Sequence, residues 1–438
     1  MRESVGAHPV SLAVAGAGSR GLAYARRAVA QGRAEVVAVA EPRPAQRESF
    51  AAEFGLDPGA VFASETELLA AGRLADAVVI ATPDRRHADA AVAAAGLGYH
   101  ILLEKPMALT ERDCLRIIGA VERADVLLAV CHVLRYTPYT RALKELIASG
   151  RIGEIASIQH LEPVGWWHQA HSYVRGQWRS ESESGPMLLT KSSHDLDWLM
   201  YVMGEIPVKV SSFGGLLHFT PANRPPGATD RCVTCPVEPD CAYSAKKIYL
   251  SALGDPAREY WPLSVLTEDI TREGVLEALA EGPYGRCVYA GDNDVVDHQV
   301  VNLEFPSGAT ASFTMTAFTA LDFRQTRIFG TKGTVEGDGK RLRLHDFTTD
   351  TIEVVETGTA GDASAADGHG GADDALIEAF VRAVADGDPA PLLSDARTSL
   401  VGHQVVWAAE RARTTASVTD IATGSSLLEP SARPIAGH

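Results

Sequence analysis

Val10-Ser-Leu-Ala-Val-Ala-Gly16-Ala-Gly18-Ser19-Arg20-Gly21 is the stretch on which the reading of this chain turns. An apolar run of strand length ends at Gly16, and the residues after Gly21, LAYARRAVAQG, carry a helical pattern. Strand, Gly-x-Gly-x-x-Gly and helix in this order describe a turn built for a pyrophosphate. Gly16 permits the tight turn, Gly18 lets backbone approach the phosphates, and Gly21 allows helix to pack closely on strand. Backbone N–H groups at the helix start, around Ser19 and Arg20, would hold the anion. The next strand, EVVAVAE, ends in Glu41, 20 residues after Gly21. A carboxylate there suits the ribose hydroxyls and repels a 2′-phosphate, so NAD is expected over NADP. Arg43 is expected beside the adenine or a phosphate.

Working outward, the apolar runs VSLAVAG, EVVAVAE, DAVVIAT, YHILLEK and VLLAV alternate with Ala-rich helical stretches as far as Ala129. That alternation predicts a parallel sheet wound by helices over residues 1–133. Beyond it, TPYTRALKELIASG reads as a connecting helix, and IASIQHLEPV, VKVSSFGG, VVNLEF, TASFTMTAF, QTRIFGT and RLRLHDF read as strands joined by Gly-containing turns. Residues 134–438 are therefore expected to form an α+β domain on a large open, mainly antiparallel sheet, with a cysteine-containing insert at about 220–295. One helix is expected from Met187 to Met203, and a pair between Ala375 and Ala412 is expected to cover the sheet. The Gly-rich TGTAGDASAADGHGG and the tail after Ser425 read as mobile loops.

The formal net charge of −16, without a run of Lys and Arg, argues against nucleic acid as a partner. No apolar run has the length of a membrane span. The N-terminus lacks the signature of a signal peptide, so a cytoplasmic location is expected. Six cysteines in 438 residues are too few for a disulfide framework.

Three segments resemble the Gfo/Idh/MocA family of sugar and cyclitol oxidoreductases. ATPDRRH, with Thr82, Pro83 and His87, resembles the loop that runs beside the nicotinamide ribose. Glu104-Lys105-Pro106 resembles the family's EKP motif. GPMLLTKSSHDLDWLMYVMG resembles the helix that carries the catalytic histidine, here His194. The resemblance implies that Glu104 and Lys105 border the cofactor and that Lys105 and His194 handle the substrate hydroxyl.

The residues themselves support this. Lys105 falls at the carboxyl end of a parallel strand, where such sheets bind ligands. Thr190, Lys191, His194 and Asp197 share one face at helical spacing, and an imidazole exchanges protons near neutral pH. Many members of the resembled family have Asp where this chain has Thr190, so either Lys191 shares the acid/base work with Lys105 or the hydroxyl attacked differs from that of the inositol dehydrogenases.

Gly165 to Trp178, GWWHQAHSYVRGQW, is rich in aromatic rings that stack on sugars. Trp167, His168, His171, Arg175 and Trp178 are thus substrate-binding candidates with Thr190, Lys191 and His194. Cys232, Cys235, Cys241 and Cys287 cluster in the insert, where a structural zinc is expected, with free thiols or an iron–sulfur cluster as the alternatives. Cys114 and Cys131 read as packed thiols.

The expected function is hydride transfer between nicotinamide and a ring hydroxyl of a sugar, sugar derivative or cyclitol. The alternative is a redox-neutral, NAD-dependent glycosidase or lyase acting through transient ring oxidation. Lys105 and His194 argue against a silent NAD-binding sensor. A homodimer or homotetramer through the open sheet face is expected by resemblance.

Overall fold

Short runs of β-branched and alanine residues, apolar on both faces, build the first sheet: β1 (Val10–Ala15), β2 (Ala34–Ala40), β3 (Val61–Phe62), β4 (Ala77–Ile80), β5 (His100–Leu103) and β6 (Leu128–Val130). The computed structural model describes residues 8–359 and 368–421. The strands lie in the order β3-β2-β1-β4-β5-β6, all parallel. The order reverses between β1 and β4, and that reversal opens a crevice at the carboxyl ends of the strands. Strand β3 has two residues and carries no periodicity for sequence reasoning to find.

Alternating patterns build the second sheet from β7 (Ile155–Pro163), β8 (Lys209–Gly215), β9 (His298–Glu304), β10 (Thr310–Thr316), β11 (Gln325–Gly330), β12 (Gly333–Gly337), β13 (Arg341–Asp346), β14 (Thr351–Glu356) and β15 (Thr419–Asp420). Its order is β14-β13-β12-β11-β7-β10-β9-β8-β15, with β7 and β10 the parallel pair in an otherwise antiparallel ladder. In β13, Leu342 and Leu344 are buried while Arg341 and Arg343 are exposed, so one face meets the core and the other stays open. The chain thus combines an α/β Rossmann domain with an α+β C-terminal domain on a large, mainly antiparallel sheet.

Three expectations about helices and loops need correction or qualification. The helix expected from Met187 to Met203 is two, Met187–Thr190 and Ser193–Met203, separated at Lys191 and Ser192. Of the pair expected to cover the second sheet, Ala396–Thr415 does so, placing Val401, Val405 and Val406 in its core. Gly368–Asp386 instead packs Leu376, Ile377 and Phe380 on the first domain's glycine-loop side. Its apolar stripe matches the free face of helix Ser19–Ala30 and not the second sheet. Of the loop expected at 357–371, residues 360–367 lie outside the described residues and 368–371 open the helix Gly368–Asp386; the tail after Ser425 also lies outside the described residues.

Helix Ala396–Thr415 also fastens the two domains. His403, fully buried, donates from Nδ1 to the Ser399 carbonyl at 2.7 Å and accepts the Met107 N–H at Nε2 at 3.0 Å. Both bonds require the neutral ring, and burial pushes His403 down to about 3. A free imidazole titrates near about 6.5, so the unfolded chain takes up a proton that the folded chain refuses. This stabilisation is whole above about pH 6.5 and is lost as pH falls toward 3. Replacing His403 by Gln is expected to flatten urea-derived stability between pH 6.5 and 4 by about one proton, or about 1.4 kcal/mol per pH unit.

Candidate active site

The glycine loop is a cradle that side chains would fill. Gly16 has φ +93°, and a Cβ on it would strike the Ala81 carbonyl; a Cβ on Gly21 would strike the Gly16 carbonyl. Gly18 precedes helix Ser19–Ala30, and no side chain caps that helix's first N–H groups. They are available to an anion. Glu41, only 3% exposed, accepts the Ala17 N–H at 3.0 Å and both Arg43 N–H and Nε at 3.1 and 2.7 Å. Its carboxylate is thereby fixed at the end of β2. Across the crevice Pro83 is exposed, and the buried Thr82 hydroxyl has no partner. Open N–H groups, a fixed carboxylate and an orphaned hydroxyl along one strand edge fit a dinucleotide.

Lys105 leaves the end of β5 and donates through Nζ to the Thr190 carbonyl in the second domain. Burial, reinforced by the Lys191 cation and opposed by Glu104, lowers it to about 8. His194 is 7% exposed and held neutral, well below its ordinary value, by burial and then by Lys105, His132 and Arg324. Its Nδ1 has no partner. The carboxylates near it in sequence are engaged elsewhere: Asp195 with Arg324 at 2.9 Å and His160 at 3.2 Å, Asp197 with Arg135 at 2.6 and 2.7 Å. His194 is therefore a free imidazole beside Lys105 and not an ion-paired core histidine.

Lys191 joins the cluster but in a different state. Its Nζ lies 3.1 Å from Glu162, whose other oxygen is 2.5 Å from Arg324. Glu162 and Arg324, from β7 and the approach to β11, have no motif around them and escaped sequence reasoning. The break at Lys191 turns this lysine toward β7, whereas one continuous helix would have kept it on the His194 stripe. Arg324 also lines a further pocket with His160, Trp198 and His369.

Several expected contacts fall elsewhere. The Arg20 guanidinium is taken up by Glu104 at 2.8 Å and by both oxygens of Asp373 at 2.8 and 2.9 Å. Glu104, 8% exposed, also accepts Tyr24 Oη at 2.7 Å, so both residues brace the rim from beneath rather than facing a ligand. His87 is fully buried and spans the carbonyls of Thr82 and Pro106 at 2.9 and 2.8 Å, tying the crevice loop to the turn after Lys105.

The aromatic segment divides. Its first part is a short helix, Trp166–His168, and its second a π-helical run, Gln169–Arg175, whose side chains turn inward. His168 borders the lysine cluster: burial and then Lys191 depress it well below its ordinary value, and its Nδ1 is unpartnered. Trp167 and His168 pack on Trp261 of the insert, with ring centroids 5.2 and 4.8 Å apart. Trp178 donates to Asp84 at 2.9 Å and so joins the crevice loop to the second domain. His171, in contrast, bonds Tyr249 at 2.9 Å and stacks on Tyr284, and Arg175 donates to the Arg286 and Tyr243 carbonyls. Those two sit inside the insert and not beside Lys105.

The zinc expectation also needs correction. The four insert cysteines do line one cavity, but among the described residues no three His, Cys, Asp or Glu side chains are gathered closely enough to hold a single metal ion. Cys114 and Cys131 are buried thiols, as read.

Comparison with known proteins accords with this geometry. A sequence model for an oxidoreductase family with an NAD-binding Rossmann fold matches residues 10–132, and the model of that family's C-terminal alpha/beta domain matches residues 144–419. The chain belongs to the Gfo/Idh/MocA oxidoreductase family. Among its relatives, 2,7-anhydro-N-acetylneuraminate hydratase of Escherichia coli is 32% identical over 159 residues, 36% of this chain and 42% of that protein. Inositol 2-dehydrogenase of Rhizobium meliloti is 30% identical over 213 residues, 48% of this chain and 59% of that protein. The aligned stretches thus span about half of these curated relatives. Levoglucosan dehydrogenase, solved in complex with NADH, superposes with a TM-score of 0.69 at 19% identity, over 95% of this chain and all of that one. At that identity the likeness establishes the fold.

The Glu162 carboxylate holds two nearly buried cations. Glu162→Gln is expected to lower stability in chemical denaturation by about 3–5 kcal/mol, since Lys191 is left without its anion.

Proposed function

We propose that the chain is an NAD-dependent oxidoreductase that moves hydride between nicotinamide and a ring hydroxyl of a sugar, sugar derivative or cyclitol. The observation that carries the reading is the meeting of Lys105, His194 and His168 at the carboxyl edge of the parallel sheet, beside an open glycine cradle. When bound there, NAD supplies the hydride acceptor. Gly16, Gly18, Ser19 and Gly21 would hold its pyrophosphate, Glu41 its adenosine ribose, and Thr82 and Pro83 the nicotinamide end. Arg43 is held by Glu41, so little free positive charge remains for a 2′-phosphate, which favours NAD over NADP.

Magnitudes divide the proton work. A general base is most effective with a pKa near the working pH. Lys105, at about 8, meets that condition; Lys191 is instead engaged in an ion pair with Glu162. His194 stays neutral and presents its ring to the substrate hydroxyl, orienting it toward Lys105. Lys191 and His168 then face the remaining hydroxyls with Thr190, Trp167 and Trp178. The absence of an Asp at Thr190 is met by Lys105 acting alone.

A second reading has support in two relatives that are hydratases: the same residues would oxidise a ring hydroxyl transiently, eliminate a substituent and return the hydride. For either reading the reaction takes place in the cytoplasm, on a carbohydrate-like small molecule. The open sheet face, with Phe213 and Phe329 exposed on it, is where a second copy would pack to form a dimer or tetramer. No described helix is long and apolar enough to cross a membrane.

The test is incubation with NAD or NADP against free sugars, anhydrosugars, cyclitols and aryl glycosides, following reduced cofactor and released product in the same wells. Stoichiometric NADH is expected. Product without NADH accumulation would replace the first reading by the second, and neither signal on any panel member would remove both. Lys105→Met and His194→Asn are each expected to lower kcat/KM by about 10²–10⁴ with NAD binding kept within a few fold. In the oxidative direction kcat/KM should rise with pH and level off above about 8, where the Lys105 amine is free to accept a proton.

A further inference from the structure

His369-Gly370-Gly371, at the head of helix Gly368–Asp386, carries a titratable side chain that the chemistry above does not use. All three residues are left-handed, with φ of +52°, +68° and +90°. For the glycines that conformation is free, whereas the Cβ of a histidine disfavours it. A residue other than glycine stays there only when its surroundings hold it, and at ligand sites such strain serves to aim a side chain. The hold on His369 is a hydrogen bond. Its Nδ1 donates to Asp373 Oδ1 at 3.2 Å, the ring being 20% exposed and the carboxylate fully buried. Burial works against the Asp373 charge, but Arg20 and then His369 keep it ionised.

That bond decides which ring nitrogen can meet a ligand. An ionised carboxylate only accepts, so Nδ1 carries the proton and Nε2 of the neutral ring is a bare acceptor. Burial, opposed by Asp373 and reinforced by Arg20 and Arg324, keeps His369 below its ordinary value and favours that neutral ring. The same bond fixes where the ring stands. Asp373 is held at 2.8 and 2.9 Å by Arg20, the neighbour of Ser19 in the first turn of the glycine helix. On its other side the ring shares a pocket wall with Arg324 and is among the groups whose charge acts on His194. A dinucleotide with its pyrophosphate on Gly18 and Ser19 and its reacting ring beside Lys105 and His194 carries its second ribose across the interval between them. His369 stands at that interval, tied to one end through Asp373 and Arg20 and facing the other.

We propose that His369, aimed by Asp373, accepts through Nε2 a hydrogen bond from the nicotinamide nucleoside of bound NAD, either from a ribose hydroxyl or from the carboxamide N–H. The proposal rests on the reading that the glycine cradle holds NAD, and it adds a cofactor contact supplied by the last part of the chain. Asp373 is a positioning residue that acts through His369. Its partner Arg20 leads on to Glu104 at 2.8 Å, and Glu104 Oε2 accepts the Lys105 N–H at 2.9 Å. One run of hydrogen bonds therefore relates the His369 ring to the backbone of Lys105.

The test is calorimetric titration of the full-length protein and of His369→Asn and His369→Gln with NAD, ADP-ribose and ADP. Asn puts its amide where Nδ1 stood and keeps the bond to Asp373, with nothing at the Nε2 position, whereas Gln reaches the Nε2 position. His369→Asn is expected to bind NAD about 3–10-fold more weakly, the worth of one hydrogen bond, and His369→Gln to stay within about twofold of the unsubstituted chain. ADP, which ends at the pyrophosphate, should bind all three chains alike. A matching loss with ADP-ribose would place the donor on the ribose, and a loss confined to NAD would place it on the carboxamide. Unchanged NAD affinity in His369→Asn, or an equal loss of ADP and NAD, would overturn the assignment, as would an unsubstituted chain that binds no NAD. None of these titrations needs a sugar, so failure of the hydride-transfer reading on the substrate panel is read separately.

Discussion

Burying a cation is costly unless an anion meets it, and that constraint sets the relation of the two sheets around Lys105. Two chains of alternating charge converge there. One runs Glu104–Arg20–Asp373 beneath the rim of the parallel sheet, and the other Lys191–Glu162–Arg324–Asp195 along β7. Lys105 stands between them with a backbone carbonyl as its nearest partner. It is the one member of this assembly whose charge the protein leaves poorly supported, which is why its proton is loosely held. The same arrangement keeps His194 neutral, because every group facing it from Lys105, His132 and Arg324 is cationic or made more so by adding a proton.

The insert completes this rim from the other side. Tyr260 donates to the Ser19 carbonyl at the start of the glycine helix, and Trp261 packs edge-on against His168 and at a tilt against Trp167. One stretch of insert thus touches both the phosphate end of the cofactor cradle and the substrate end. The pocket lined by the four insert cysteines lies in the same insert.

What was legible in the sequence was what is local. The glycine loop, Glu41 and Lys105 each sit at a strand end, and a strand followed by a turn can be read from a dozen residues. Glu162, Arg324 and Asp373 were not legible, because an acid or arginine on an alternating strand or a helix start looks like a solvated residue until a distant partner buries it. The break at Lys191 was hidden for a different reason: the three-and-four spacing continues through it, and only packing against β7 decides that the backbone departs. Composition alone could not divide Gly165 to Trp178 either. An aromatic stretch reads alike whether its rings face sugar or core, and the π-helical turn, which rotates His171 and Arg175 inward, leaves no pattern of its own.

The pairing of Arg20 with Asp373 joins residues 353 positions apart. A nascent chain that has already delivered the whole parallel sheet, through Val130, still lacks this partner, and it lacks the apolar stripe Leu376, Ile377 and Phe380 that covers the glycine helix. The nucleotide-binding half therefore leaves the ribosome with Arg20 met by Glu104 alone and one flank bare. Its completion waits on synthesis of nearly the entire polypeptide, and a truncation just short of Asp373 would forfeit the first domain's integrity as well as the last helices.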